Sequence, residues 1–292
     1  MAKYDVHEVM VCRIASEMTE EGDYVTILGS FTPLAYAAYM LAKLTHAPDA
    51  WLVGYNAIGM PPVELSFTGS EAAAYRGSLA RNSFTPNGHL VHLGTHGLLE
   101  CVSSAQMDGD GAINLSAIGD YDHPKVRLPG GAGAPEVVQN YRKVVAYFSK
   151  HDARTLCAKV DYATGRRTPI SRDKREALGL VSGGPVTIVT PLAVLVKEDD
   201  ERPFAIESVH PGVSVDEVVA ATGFAVDVPA DVPTTAEPTA EQIDLLRNRI
   251  DPLGTVRFDF LSGEERLAYL EEVLAKEWAR AEELVRVTAP VG

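Results

Sequence analysis

Apolar positions recur at helical spacing from the start of the chain: Val9, Met10, Ile14 and Met18 predict an amphipathic helix within residues 5–20. Gly22-Asp23 interrupts the pattern, and Tyr24-Val25-Thr26-Ile27-Leu28 reads as a short buried strand. Gly29-Ser30 then turns into a second helix, with Thr32 as N-cap and Pro33 at its first position. The run from Pro33 to Leu44 is apolar nearly all round, which predicts burial on most sides. Trp51-Leu52-Val53 is a further strand that ends in Gly54-Tyr55-Asn56. Strand, helix, strand in this order predicts a right-handed crossover and a parallel sheet. Ligand sites in such sheets lie beyond the carboxyl ends of the strands, which puts Gly54–Asn56 at a privileged place. The Gly29-Ser30 turn reads either as an anion site at a helix N-terminus or as a plain connection. The absence of GxGxxG and GxxxxGK[ST] favours the plain connection.

Pro61-Pro62 forces extended chain, and Ser70 to Ala80 reads as a short helix. From Ser103 to Gly133 the pattern changes to short apolar runs between Gly, Asp, Asn and Gln. That composition predicts tight turns alternating with short strands, where glycine lets a ligand approach the main chain. Val137 to Phe148 follows as a helix or strand pair, and Leu156–Val160 as a strand. Asp161–Arg175 is rich in basic and turn residues, and Pro185–Val196 reads as one apolar strand. Residues 197–202 form a charged, solvated hairpin turn before the strand Phe204–Val209. Ser214 with Glu217 makes a capping box, Val226–Pro238 an extended strap, and Thr239 starts a helix ending near Asp251-Pro252. One long amphipathic helix runs from Ser262 to about Val287, with Leu267, Leu270, Leu274, Trp278, Ala281 and Leu284 on one stripe. That stripe packs on its own domain or on a partner subunit. The division is residues 1–260 as one α/β domain, an open, mainly parallel sheet flanked by helices, and 261–292 as an added C-terminal helix.

Composition narrows the function classes. The 292 residues are 46% apolar and 23% charged, ordinary for a globular α/β protein. A net charge of −14 speaks against nucleic acid, because neutralising phosphates needs clustered Lys and Arg. No apolar run approaches the roughly 18–20 residues of a membrane span, so no membrane partner is expected. The first ten residues lack the apolar core of a secretion signal, and Cys12, Cys101 and Cys157 form no CxxC pair. Both features fit a reducing cytoplasm. His89, His92 and His96 have metal-like spacing, but Gly94 and Gly97 would break a helix aligning them and no Cys or carboxylate cluster adjoins. Imidazoles that cap turns or sit at an interface are the simpler reading, and no metal is expected.

Ala105-Gln106-Met107-Asp108 with Gly111 and Asn114 opens a longer set of recognisable segments. Ile118-Gly119-Asp120-Tyr121, His123-Pro124-Lys125-Val126-Arg127, Gly130-Gly131-Ala132-Gly133 and Lys159-Val160-Asp161-Tyr162 follow in order. Thr45-His46-Ala47-Pro48-Asp49 precedes them, and His210-Pro211-Gly212-Val213, Thr222-Gly223-Phe224 and Ile250-Asp251-Pro252-Leu253-Gly254 close the set. Together, over roughly residues 5–255, they resemble the β subunit of class I CoA-transferases of the glutaconate CoA-transferase type. The resemblance implies an α subunit of similar fold, an active site between the two subunits, and an acyl-CoA thioester as substrate, with no permanently bound cofactor. It also implies ping-pong catalysis, in which a β-subunit glutamate in a Glu-Ser-Gly or Glu-Asn-Gly turn attacks the thioester.

At that turn the chain departs from the family pattern. Anchored on Ala57-Ile58-Gly59, the glutamate position falls on Gly54; anchored on Ala47-Pro48-Asp49, it falls on Tyr55. Glu64 matches a separate family position. Ser103-Ser104 replaces the Gly-Ala or Gly-Gly that relatives place before Ala-Gln. The expected catalytic residues are therefore Tyr55, Asn56, Ser103 and Ser104, with Gly54, Gln106, Gly130, Gly131 and Lys125 as substrate or CoA contacts. Divergent members of the family hydrolyse a ring carbon–carbon bond in steroid-derived acyl-CoAs, with a base on the other subunit, or decarboxylate glutaconyl-CoA. The expected activity is of that non-transferase kind. Two alternatives stay open: a CoA-transferase with its carboxylate supplied elsewhere, and a non-catalytic scaffold or regulatory subunit.

Overall fold

The computed structural model describes residues 4–19, 24–28, 32–53, 57–60, 63–67, 80–81, 98–131, 133–180 and 184–288. Helix α1 spans Val6–Ala15, β1 Tyr24–Leu28, α2 Pro33–Leu44, β2 Trp51–Val53, β3 Ala57–Met60 and β4 Ala80–Arg81. Next come β5 (Leu98–Val102), β6 (Gln106–Met107), β7 (Ala112–Asn114), β8 (Ala117–Gly119), β9 (Pro124–Arg127) and α3 (Ala134–Asn140). Then follow β10 (Lys143–Tyr147), β11 (Gly165–Arg166), α4 (Arg172–Ala177), β12 (Val186–Val189), β13 (Ala193–Lys197) and β14 (Phe204–Val209). The chain closes with α5 (Val215–Ala221), β15 (Val226–Asp227), α6 (Ala240–Leu245), a 3₁₀ turn at Thr255–Phe260 and α7 (Gly263–Thr288).

Ten strands form one sheet in the order β15-β14-β13-β12-β10-β5-β1-β2-β3-β4. Its centre, β12-β10-β5-β1-β2, is wholly parallel, and antiparallel strands extend it on both sides. The central strands are apolar runs such as Leu98–Val102 because helices or loops cover both faces. One face carries α1 and α2, which bury Met10, Ile14, Tyr39 and Leu41 against Leu99, Cys101 and Val145. The opposite face packs Val102, Val144 and Ile188 against Val138 of α3 and against Met107 and Ile113. Those last two belong to a small sheet, β11-β7-β6. The predicted α/β architecture and parallel core are present.

From β1 the chain crosses to β2 on one side, whereas β5 leads to β10 and β12 on the other. The direction of winding reverses between β1 and β5. A crevice opens beyond the strand ends at such a reversal, and open α/β sheets place ligands there.

Several local expectations need correction. Leu156–Val160 is not a strand: Leu156 makes one isolated bridge to Met107, and the Val160 amide donates to the Asp108 carboxylate. Side-chain acceptors take donors that a ladder would have used. Pro185–Val196 splits into β12 and β13, because Thr190 Oγ1 accepts from the Leu192 and Ala193 amides and pins a hairpin. The first helix stops at Ala15. The Ser214 hydroxyl accepts from the Glu217 amide, so the predicted N-cap of α5 is made, but among the described residues no bond runs back from the Glu217 side chain and the box stays half made. Residues 70–79 of the expected short helix lie outside the described residues, and Ala80 begins β4 instead. The predicted stripe on α7 faces mostly outward: Leu270 is half-buried while Leu267, Leu274, Trp278 and Ala281 stay exposed, and Val273, outside the stripe, is the fully buried residue among those described on the helix.

Candidate functional site

β5 delivers Ser103 and Ser104 directly to the crevice. Both are half-buried, and Ser104 Oγ donates to the Gln106 carbonyl at 2.9 Å, which tightens the turn into β6. Gln106 is the centre of the stretch. Its Oε1 accepts from Asn114 Nδ2 at 2.7 Å and from the Asp161 amide at 3.0 Å, and its Nε2 donates to Asp161 Oδ2 at 3.2 Å. Asn114, wholly buried, also donates to the Ala117 carbonyl and accepts from the Ser116 and Ala117 amides. Asp161 in turn accepts from the Gly119 amide at 2.8 Å. Polar side chains thus work beside the apolar anchors Met107 and Ile113 in holding these short strands. With three side-chain bonds made among the described residues, Gln106 ties the serine turn to Asn114 and Asp161.

Gly130 and Gly131 close the other end of the stretch. The Gly130 amide donates to Leu115 O at 2.8 Å with φ +101°. A Cβ on Gly131 would lie 2.5 Å from Thr164 Cγ2, so only glycine fits there. Lys125 stands apart, exposed on the hairpin β8–β9. Beside it Tyr121 stacks on Tyr162 at 4.5 Å, and the Arg127 guanidinium lies 4.8 Å from the Tyr121 ring centre. Asp120 Oδ1 accepts from the amides of Asp122 and His123, so it pins the loop instead of pairing with the imidazole. Gly54, Tyr55 and Asn56 lie outside the described residues, as do His89, His92 and His96.

Sequence patterning passed over three groups near the crevice. Glu100 is about as buried as any residue, 1% exposed in the middle of β5, and its carboxylate accepts from Thr26 Oγ1. Register places Glu100 beside Thr26, and Val25 beside Leu52, so Glu100, Thr26 and Val53 form one row across three strands. An acid inside the apolar run Leu98–Val102 was the available signal. Secondly, Thr32 Oγ1 at the N-terminus of α2 and the Tyr147 hydroxyl at the end of β10 are buried facing each other, with no well-formed hydrogen bond among the described residues. Burial raises the Tyr147 phenol well above its usual value, so it is a proton donor here. Thirdly, burial lifts Asp259, in the 3₁₀ turn, to about 6 against the opposing pull of Arg266.

Other chemistry is accounted for locally. Glu64 pairs with Arg280 of α7 at 2.5 Å. Cys101 is fully buried and burial pushes its thiol up, which makes it an inert core residue. Asp5, His7 and Glu8 bring potential metal ligands together, but Arg247 holds both Glu8 oxygens at 2.7 and 2.8 Å, and an ion would have to displace it.

A model of the coenzyme A transferase family matches residues 13–221. The chain is 33% identical over 253 residues to the β subunit of 3-oxoadipate CoA-transferase from Pseudomonas knackmussii, covering 85% of this chain and 94% of that one. It is 27% identical over 249 residues, again 85% and 94%, to the cholesterol ring-cleaving hydrolase IpdB subunit of Rhodococcus jostii. The crystal structure of the decarboxylase AibA/AibB superposes with a TM-score of 0.74 at 25% identity, covering 87% of this chain and 98% of that one. Transfer, hydrolysis and decarboxylation are thus all found on this scaffold.

Proposed function

The chain belongs to the coenzyme A transferase family, and from that membership we propose that it is the β subunit of a heteromeric enzyme that cleaves a bond in an acyl-CoA without forming a glutamyl-CoA intermediate. One observation carries the reading: between β2 and β3, at the carboxyl edge of the sheet, the chain reads Gly54-Tyr55-Asn56 and offers no carboxylate. Glu64, ten residues on, is tied to Arg280. Without a carboxylate nucleophile no anhydride forms, and losing a covalent nucleophile costs several orders of magnitude in rate.

Hydrolysis of a carbon–carbon bond and decarboxylation share one requirement. Both leave the electron pair of the broken bond on a carbon conjugated with the thioester carbonyl, either directly beside it or through a carbon–carbon double bond, as an enolate or dienolate whose oxygen carries negative charge. Donors aimed at that oxygen stabilise it. Ser103 and Ser104 bring backbone amides and hydroxyls to the crevice. Tyr55 and Asn56 are assigned to catalysis and Gly54 to substrate contact from the sequence alone, since all three lie outside the described residues. Gln106 holds the serine turn, and Gly130-Gly131 keeps the cradle floor thin. Lys125 and Arg127 meet the CoA phosphates, or the partner's acidic groups, at the exposed hairpin. The base that starts the reaction comes from the α subunit. Residues 1–260 form the catalytic unit, and 261–292 the added helix.

Borohydride trapping tests this directly. The α/β complex incubated with acyl-CoA and then reduced should carry no modified glutamate on this chain, by peptide mass spectrometry. A second reading, transfer with a substitute carboxylate, is favoured by Glu100 alone, because it lies in the same strand row as Val53 and two residues short of the end of β5. Reduction trapped at Glu100 would establish that reading and end the first.

A further inference from the structure

Helix α7 lies outside the segments that carry the family resemblance, and its two long faces differ in kind. The inward face is tied to the domain along its length. Tyr269 OH donates to Gly254 O at 2.8 Å, and Val273 is fully buried. Glu277 accepts from the Phe67 amide at 3.0 Å, and Arg280 pairs with Glu64. The outward face is an apolar ridge: Leu267, Leu274 and Trp278, spaced seven and four residues apart, are 63%, 38% and 70% exposed. Ala281 continues it. Glu264, Glu271 and Glu282, all exposed, follow the same side of the ridge at spacings of seven and eleven.

Three observations select what covers this ridge. Glutamates on one flank, in a chain of net charge −14, would face their own copies in a symmetric pair, which speaks against a second molecule of this chain. The ridge spans only about 16 Å from Leu267 to Trp278, at about 1.5 Å per residue. A single helix of that reach buries less than the roughly 1,200 Å² of a stable standalone interface, so it extends an interface made elsewhere. Finally, the first turn of α7 sits on the 3₁₀ turn, with the Arg266 guanidinium 4.1 Å from the Phe258 ring centre and 4.0 Å from the Asp259 carboxylate. Asp259 is close enough to act on the Tyr147 hydroxyl at the carboxyl end of β10. The helix therefore starts beside the carboxyl edge of the sheet, where a partner completing the site would sit.

We propose that α7 is a docking helix for the α subunit, with Leu267, Leu274 and Trp278 seated in an apolar groove on that subunit rimmed by Lys or Arg side chains that meet Glu264, Glu271 and Glu282. The inference rests on the heteromeric reading above. Subunit affinity, measured by titrating purified α subunit against this chain in a calorimeter and by sedimentation at low and high salt, tests it. L274S/W278S should weaken binding of the α subunit roughly tenfold or more, as truncation of aromatic anchors does. E271K/E282K should weaken it comparably and flatten its salt dependence. Thermal unfolding and circular dichroism of the isolated variants should match the unaltered chain, since these side chains face solvent. Unchanged affinity in both variants would overturn the proposal while leaving the heteromer intact. Self-association of the unaltered chain that L274S/W278S abolishes would overturn it in favour of a homodimer. Failure of the unaltered chain to bind any α subunit would instead overturn the heteromeric reading, and this proposal with it.

Discussion

Two histidines, His210 buried and His151 half-buried, contribute to how this protein responds to acid. His210 is 2% exposed, with its ring nitrogens against Thr235 Oγ1 and Thr190 O, and burial lowers it to about 4. His151 lies between Thr190 and Thr222 and is likewise lowered to about 4 by burial. An unfolded histidine titrates near 6.5, so between about pH 6.5 and 4 the unfolded chain binds more protons than the folded one. Stability therefore rises with pH across that window and is lost as pH falls through it. Asp259, raised to about 6, works the other way, since its protonated form is favoured in the fold. Two histidines outweigh it, and urea denaturation should show a net loss of stability from pH 6.5 to pH 4.5. His210→Asn should flatten that slope, and an unchanged slope would refute the assignment.

Glu100 sets a second test at the same scale. If the enolate reading holds, Glu100→Gln keeps turnover within about threefold, because the amide preserves the shape and the partner supplies the base. A fall of about a hundredfold or more, with altered pH dependence, would make Glu100 a reacting group. Glu100 was visible in the sequence as an acid in an apolar strand. Its neighbour in the row, Thr26, was not, because pairing across strands 74 residues apart is a tertiary fact.

Among the elements, the small sheet of β6, β7 and β11 depends on polar clips. Asn114→Ala removes four hydrogen bonds at a fully buried site, leaving Gln106 Oε1 with only the Asp161 amide and taking a partner from the Ala117 carbonyl and from the Ser116 and Ala117 amides. The expected cost is about 2–4 kcal/mol, read as a fall in melting temperature, with the serine turn loosened and substrate affinity reduced. The crossover β1-α2-β2 and the cap at Ser214 were legible because helical spacing and capping chemistry are local. The split of Pro185–Val196 into two strands was harder, although Pro191 beside Thr190 marked the turn. Leu156–Val160 misled because apolar character signals burial, while the backbone partners that make a strand lie elsewhere in the chain.

At the scale of the whole molecule, fold and family were both readable from motifs between Thr45 and Gly254, whereas the reaction was not. The motifs build the cradle, and in the proposed function the reaction is set by Gly54-Tyr55-Asn56, a stretch with no carboxylate, and by groups that the α subunit brings. No helix among the described residues is long and apolar enough to cross a membrane. The most direct measurement is the fate of the acyl-CoA in the reconstituted α/β complex, with a carboxylic acid acceptor present and products weighed by mass spectrometry. The account predicts acyl-CoA that has gained one water or lost one carbon dioxide, with no CoA on the added acid. Formation of the acceptor's CoA thioester at ordinary enzymatic turnover would contradict it.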